Sequence, residues 1–159
     1  MLKFTQKKKN GFSLTELLAV TVILGTLASI ATPSYIKQLQ KGKQGEAETL
    51  ISQLITQASA FNDEYGIAPT SWKDLDEIAT IPTNDGAASA ADFSKITTPS
   101  GNYSITTTQS NNKYTFIATP NDTYSSNYNV IGCSNVATGA SQVISGNSQE
   151  AANTGDLKC

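Results

Sequence analysis

Residues 12–32 read FSLTELLAVTVILGTLASIAT, and the fold turns on how this stretch is understood. Between Leu17 and Ala31 the run is interrupted only by small or hydroxylic residues. As a helix its 21 residues span about 31 Å at 1.5 Å per residue, enough to cross a bilayer. On its N-terminal side Lys3, Lys7, Lys8 and Lys9 crowd together with no acid among them. A basic segment directly before an apolar run is how export segments begin, because the positive end stays cytoplasmic. On its C-terminal side the helical pattern continues past Pro33. Apolar residues recur at Ile36, Leu39, Ala47, Leu50, Ile51, Leu54, Ala58, Phe61 and Tyr65. Lys37, Lys41, Lys43, Gln44, Glu46, Glu48, Gln53 and Gln57 fill the polar positions between them, the pattern of an amphipathic helix with one buried stripe. Gly66 is a natural residue to end it, with Pro69 soon after. Residues 12–65 thus read as one helix of roughly 80 Å, apolar all round in its first half and one-sided in its second. The first half needs lipid or other copies of itself.

Three readings compete for the apolar run. Ser29, Ile30 and Ala31 offer small residues where a Sec signal peptidase would cut, after Ala31. The run also suits a plain membrane anchor. A cut before the run, finally, would leave it in the mature protein. Glu16 argues for the last, since a carboxylate in an apolar helix costs about 2–3 kcal/mol or more in lipid. A disposable signal peptide has no use for that cost.

Composition narrows the chemistry. All 11 basic residues are lysine, and the chain has neither arginine nor histidine. That excludes Ser–His and Cys–His pairs, His-ligated zinc and the bidentate fork that reads guanine. Two cysteines cannot build a four-thiolate metal site. Ser, Thr and Asn supply 49 of the 159 residues, which suits a solvated outer surface more than a catalytic cleft. No enzyme, cofactor or metal site is expected, and no direct nucleic-acid binding. Without residues 1–11 the formal charge falls from −2 to −6, seven lysines against 13 acids.

The residues from Lys7 to Leu18, KKKNGFSLTELL, resemble the class III leader junction of type IV pilins and pseudopilins. A basic leader, a Gly, an aromatic residue, Glu at the fifth position after the Gly and a long apolar run make up the likeness. The resemblance implies that a membrane-embedded prepilin peptidase cuts between Gly11 and Phe12 and N-methylates Phe12. It implies that Gly25 and Pro33 bound the segment that loosens during filament assembly, where proline removes a helical hydrogen bond and glycine unwinds readily. It also implies that Glu16 meets the Phe12 amine of a neighbouring subunit. Such pairing would relieve the cost of the buried charge and set the register.

Beyond Gly66 the character changes. Ser71 reads as the cap of a short helix with Trp72, Leu75 and Ile78 on one side. Tyr103–Thr108 and Lys113–Thr119 read as an antiparallel hairpin, with further strands near Tyr128–Cys133 and, more weakly, Gln142–Ile144. The expected class is α+β, a long helix whose amphipathic half packs on a small antiparallel sheet. Cys133 and Cys159, an even pair in an exported chain, are most simply a disulfide. The loop between them is rich in Ser, Gly, Asn and Ala, so little else is expected to order it. Asp74, Asp76, Glu77 and Asp85 lack distinctive ligand spacing and read as a solvated acidic face rather than a calcium site. Asn102 with Ser104, and Asn121 with Thr123, match the N-glycosylation sequon, which arises readily by chance in so Asn- and Ser-rich a chain.

The expected organisation is a cleaved leader (1–11), a membrane or filament-core helix (12–33), its amphipathic continuation (34–65), a connecting segment with a short helix (66–102), and a sheet with a disulfide-closed C-terminal region (103–159). The function this implies is a type IV pilus subunit that polymerises with itself. Its partners would be prepilin peptidase, the pilus assembly machinery and the inner membrane before assembly, and its destination a surface filament for adhesion, twitching motility or DNA uptake. The disulfide-closed region favours a pilin over a type II secretion pseudopilin. A secreted or anchored binding module cut after Ala31 is the reading from a different class.

Overall fold

The computed structural model describes residues 11–159; the leader lysines Lys3, Lys7, Lys8 and Lys9 lie outside the described residues. The chain divides into two compact units, Met1–Lys37 and Gln38–Cys159. Helix α1, Leu14–Tyr65, runs through both, with Pro33 inside it. In the first unit Leu17, Val20, Ile23, Leu24 and Leu27 are each more than half exposed. Among the described residues α1 is the one helix long and apolar enough to cross a membrane.

In the second unit α1 turns one face inward, burying Ala47, Leu50, Ile51, Leu54, Ile55, Ala58 and Phe61. The stripe is shorter than the sequence pattern suggests, because Leu39 and Tyr65 at its ends stay about half exposed. Two positions that read as solvated, Gln44 and Gln57, are buried instead. A glutamine is tolerated there because its amide finds a backbone carbonyl. Gln44 Nε2 donates to the Gly146 carbonyl at 2.9 Å and Gln57 Nε2 to that of Ala79 at 2.7 Å.

The connection from α1 opens at Gly66, whose φ of 70° lies in the left-handed region that glycine adopts without strain. Helix α2, Trp72–Ile78, starts on a reciprocal capping box. The Ser71 hydroxyl accepts from the Asp74 N–H, and the Asp74 carboxylate accepts from the Ser71 N–H. Trp72 and Leu75 are fully buried, each such side chain contributing about 1.5–3 kcal/mol. The Trp72 indole N–H donates to the Ser94 carbonyl at 2.6 Å, which keeps its one polar atom satisfied.

A small hairpin follows, β1 (Pro82–Thr83) with β2 (Gly86–Ala87), then β3 (Ile96–Thr97). These two-residue strands are too short to leave a period in the sequence. The main sheet is antiparallel in the order β3-β4-β5-β6-β7, adding β4 (Tyr103–Ser110), β5 (Lys113–Pro120), β6 (Val130–Asn135) and β7 (Ala140–Ser145). The β4–β5 hairpin is tighter than its sequence suggests. Ser110 pairs with Lys113, leaving a two-residue turn of Asn111 and Asn112, and Asn111 takes φ 54° to make it. Tyr103, Ile105, Tyr114, Phe116, Ala118 and Val130 face α1 and complete one core with it. The fold is α+β, a long helix on an antiparallel sheet, closed by a disulfide between Cys133 of β6 and Cys159.

Candidate functional site

The residues singled out at the start of α1 form one local arrangement. Phe12 is 84% exposed and directly follows Gly11. Ser13 then caps the helix: Glu16 N–H donates to the Ser13 hydroxyl at 3.3 Å, and the Ser13 N–H and hydroxyl reach the Glu16 carboxylate at 2.8 and 2.9 Å. The pattern Ser-x-x-Glu is the signal for this box, and reading Glu16 only as a charge in an apolar run overlooks it. Capping gives the carboxylate local donors at the electropositive end of the helix. The arrangement holds it in place while leaving it exposed.

Along the apolar half, the hydroxyls of Thr21, Thr26, Ser29 and Thr32 donate to carbonyls of Leu18, Ile23, Thr26 and Ala28 at 2.7–2.9 Å. Each polar group is thereby satisfied within the helix, as a lipid or a dry helix interface requires. A β-carbon added at Gly25 would meet nothing within 4 Å. Pro33, lacking an N–H, removes one rung of the hydrogen-bond ladder while the helix continues through it.

The C-terminal region is more firmly held than a disulfide alone would make it. Residues 130–135 and 140–145 are paired strands, and the arm after them is pinned at several points. The Asn129 side chain grips Ala152 from both sides, donating to its carbonyl at 2.9 Å and accepting from its N–H at 2.8 Å. Gly146 N–H donates to the Asn129 carbonyl, and Lys158 N–H to the Gln142 side chain. The Ser-, Gly- and Asn-rich composition thus misleads about order, since these short polar side chains are what tie the backbone down. Cys133 is buried, with its Cα 6.2 Å from that of Cys159.

The remaining candidates are used internally. The Asp74 carboxylate accepts from the Thr70 N–H and hydroxyl as well as from Ser71. Burial pushes its pKa up, but these hydrogen bonds together outweigh that and hold it below the ordinary value. Asp76 accepts from the Ile81 N–H, and Asp85 lies on the β1–β2 turn beside Asn84. Among the described residues no three carboxylates converge on a metal site. Of the sequon residues, Asn121 uses both amide atoms, donating to the Gly101 carbonyl and accepting from the Ser104 hydroxyl. They brace the base of the β4–β5 hairpin.

Comparison with known proteins agrees with the N-terminal geometry. Residues 6–32 match the prokaryotic N-terminal methylation motif. The chain is 35% identical over 78 residues to type II secretion system core protein G of Vibrio cholerae serotype O1, covering 49% of this chain and 53% of that protein. It is 31% identical over 78 residues, 49% of this chain and 54% of the relative, to the core protein G of Aeromonas hydrophila. To the type IV major pilin protein PilA of Myxococcus xanthus it is 42% identical over 57 residues, 36% of this chain and 26% of the relative. The match thus spans about half the length of the core G proteins and about a quarter of the pilin. No solved structure matches significantly. The chain carries the prokaryotic N-terminal methylation motif of class III leaders and is homologous, over part of its length, to a type IV pilin and to type II secretion core proteins.

Proposed function

We propose that this chain is a structural subunit of a type IV pilus, polymerised through α1 into a surface filament, and that it is not an enzyme. The observation that carries the reading is the start of α1, where an exposed Phe12 and a capped Glu16 lead into an apolar helix whose large side chains are exposed. Prepilin peptidase cuts between Gly11 and Phe12 and methylates the new amine. The precursor waits in the inner membrane with Glu16 held by Ser13. On entry into the filament, the Phe12 amine of a neighbouring copy takes over that carboxylate, which removes the cost of an unpaired charge and sets the axial step. The segment from Gly25 to Pro33, already short of one hydrogen bond, is where α1 yields during assembly. The Leu, Val and Ile side chains around it supply cohesion by close packing. Adhesion, twitching motility and DNA uptake are the tasks such a fibre serves.

A type II secretion pseudopilin is the second reading, favoured by the identity to two core G proteins. The disulfide-closed arm at Cys133–Cys159 supports the pilus. A module cut after Ala31 fits less well, because α1 runs unbroken through that residue. Electron microscopy of sheared filaments, with N-terminal mass spectrometry of their subunit, tests the proposal. Methyl-Phe12 at the start of a filament subunit is expected, and a mature chain beginning at Thr32 would overturn it. Glu16→Ala should leave processing intact and deplete filaments, whereas a normal filament yield would remove Glu16 from the mechanism.

A further inference from the structure

The main sheet has two edges, and they are finished differently. β3 is two residues long, and its Thr97 carbonyl accepts from the Asn84 N–H. β7 runs for six residues, ASQVIS, with no charge, no proline and no break in its register against β6. Those are the devices that ordinarily blunt an edge, because unpaired N–H and C=O groups template another strand. The arm after β7 engages it at the Gln142 side chain, which accepts from the Lys158 N–H. Along the backbone the edge is open. Among the described residues no hydrogen bond from outside the β6–β7 ladder reaches the backbone of Ser141, Val143 or Ser145.

The ladder shows which groups face outward. Gly146 N–H donates to the Asn129 carbonyl at 2.9 Å, continuing the register that sets Val130 opposite Ser145. Bonded and non-bonded pairs alternate along antiparallel strands, so Ala140, Gln142 and Ile144 bond to β6. Ser141, Val143 and Ser145 therefore turn both N–H and C=O away from it. A second β7 uses all three in one antiparallel register, with a two-fold axis at Val143. Val143 then lies beside Val143 of the second copy, and Ser141 beside its Ser145. No like charges oppose, and β-branched and hydroxyl pairs are favourable neighbours. The contact is isologous and closes on itself. Because α1 lies along one face of the sheet, that rotation reverses its direction. Copies polymerised through parallel α1 helices cannot make this contact with one another.

We propose that β7 is a self-complementary edge that joins this chain to a second copy in a filament running the opposite way, extending one sheet across both. The inference rests on the polymer reading above. Electron microscopy of sheared filaments of the full chain should show aligned pairs of opposite polarity. Ser141→Pro removes an outward N–H and spares the β6 ladder, so filament yield should hold while aligned pairs fall about tenfold. Val143→Cys places two thiols opposite each other with Cα atoms about 5.5 Å apart, within disulfide reach. Mild oxidation should then give a covalent dimer linked 143–143, with Cys133–Cys159 left intact. Ser141→Cys is the control for register, since the two copies of residue 141 would lie about 14 Å apart, and it should give about tenfold less dimer. Pairs as frequent with Ser141→Pro as without it would overturn the proposal, as would pairs that all run parallel. So would a Val143→Cys dimer no more abundant than the Ser141→Cys one, or Val143→Cys linked only to a different protein. Processed wild-type chain that never forms filaments would overturn the polymer reading and this inference with it, a result distinct from the others.

Discussion

Gly132 of β6 lies so close to Ile51 of α1 that a β-carbon on the glycine would sit 2.3 Å from Ile51 Cγ2 and 2.9 Å from Ile55 Cδ1. Helix and sheet approach this nearly only where no side chain intervenes. Gly132→Ala should therefore destabilise the fold by about 1–3 kcal/mol through overpacking. Thermal unfolding of the full chain in detergent measures it. Adding Ile51→Ala should cost less than the sum of the two single changes, since each relieves the other's crowding.

Gln44 is the polar counterpart of that contact, a buried amide that holds the Gly146 carbonyl from α1. Gln44→Leu keeps the bulk and removes the donor, leaving a buried acceptor unpaired at a cost of about 1–3 kcal/mol. Hydrogen exchange should quicken first at residues 146–152. Exchange that quickens equally throughout the chain would point to general destabilisation instead.

Replacing both cysteines (Cys133→Ser with Cys159→Ser) removes a loop constraint of 26 residues, on the order of 3.5 kcal/mol in the chain-entropy model. The arm should nonetheless stay docked, because the β6–β7 pairing and the Asn129 grip on Ala152 persist. Limited proteolysis should cut the arm rapidly only when Asn129→Ala is added. Rapid cutting without it would make the disulfide the sole tether.

One carboxylate and two tyrosines give stability opposite pH dependences. Asp74 has a lowered pKa in the fold, so its contribution is complete above the unfolded value of about 3.9 and is lost as pH falls through the lower folded one. Asp74→Asn should flatten the acid side of a stability–pH profile. Burial, and then the nearby Asp74 charge, push Tyr114 up to about 12. Burial, and then Glu48 and Glu46, do the same to Tyr103. Their contributions are complete below about pH 10 and are lost as pH rises toward the folded value. Phenolate absorbance should show these two tyrosines titrating late, and Tyr114→Phe and Tyr103→Phe should each remove one late step.

Much of the molecule is legible in the letters, and the failures have causes. The long helix declares itself through sustained periodicity, and the hairpin through alternating β-prone runs. Glu16 stands out because a charge in an apolar run is costly, yet its partner Ser13 shows only when Ser-x-x-Glu is read as a cap. Gln44 and Gln57 read as surface because composition cannot reveal a carbonyl brought to them by distant chain, 102 residues away for Gly146. β3 escapes notice because two residues have no period.

By itself, then, the sequence determined what local pattern and chain-wide chemistry determine. These are a membrane-length helix behind a basic leader, a helix face to bury, strands to cover it and a cysteine pair to close the end. The tertiary structure alone decided which distant backbones meet. Gly132 gains its meaning from Ile51, and Asn129 from Ala152. The physical reason is that close packing and hydrogen bonding act over a few ångströms of space, whatever the separation along the chain.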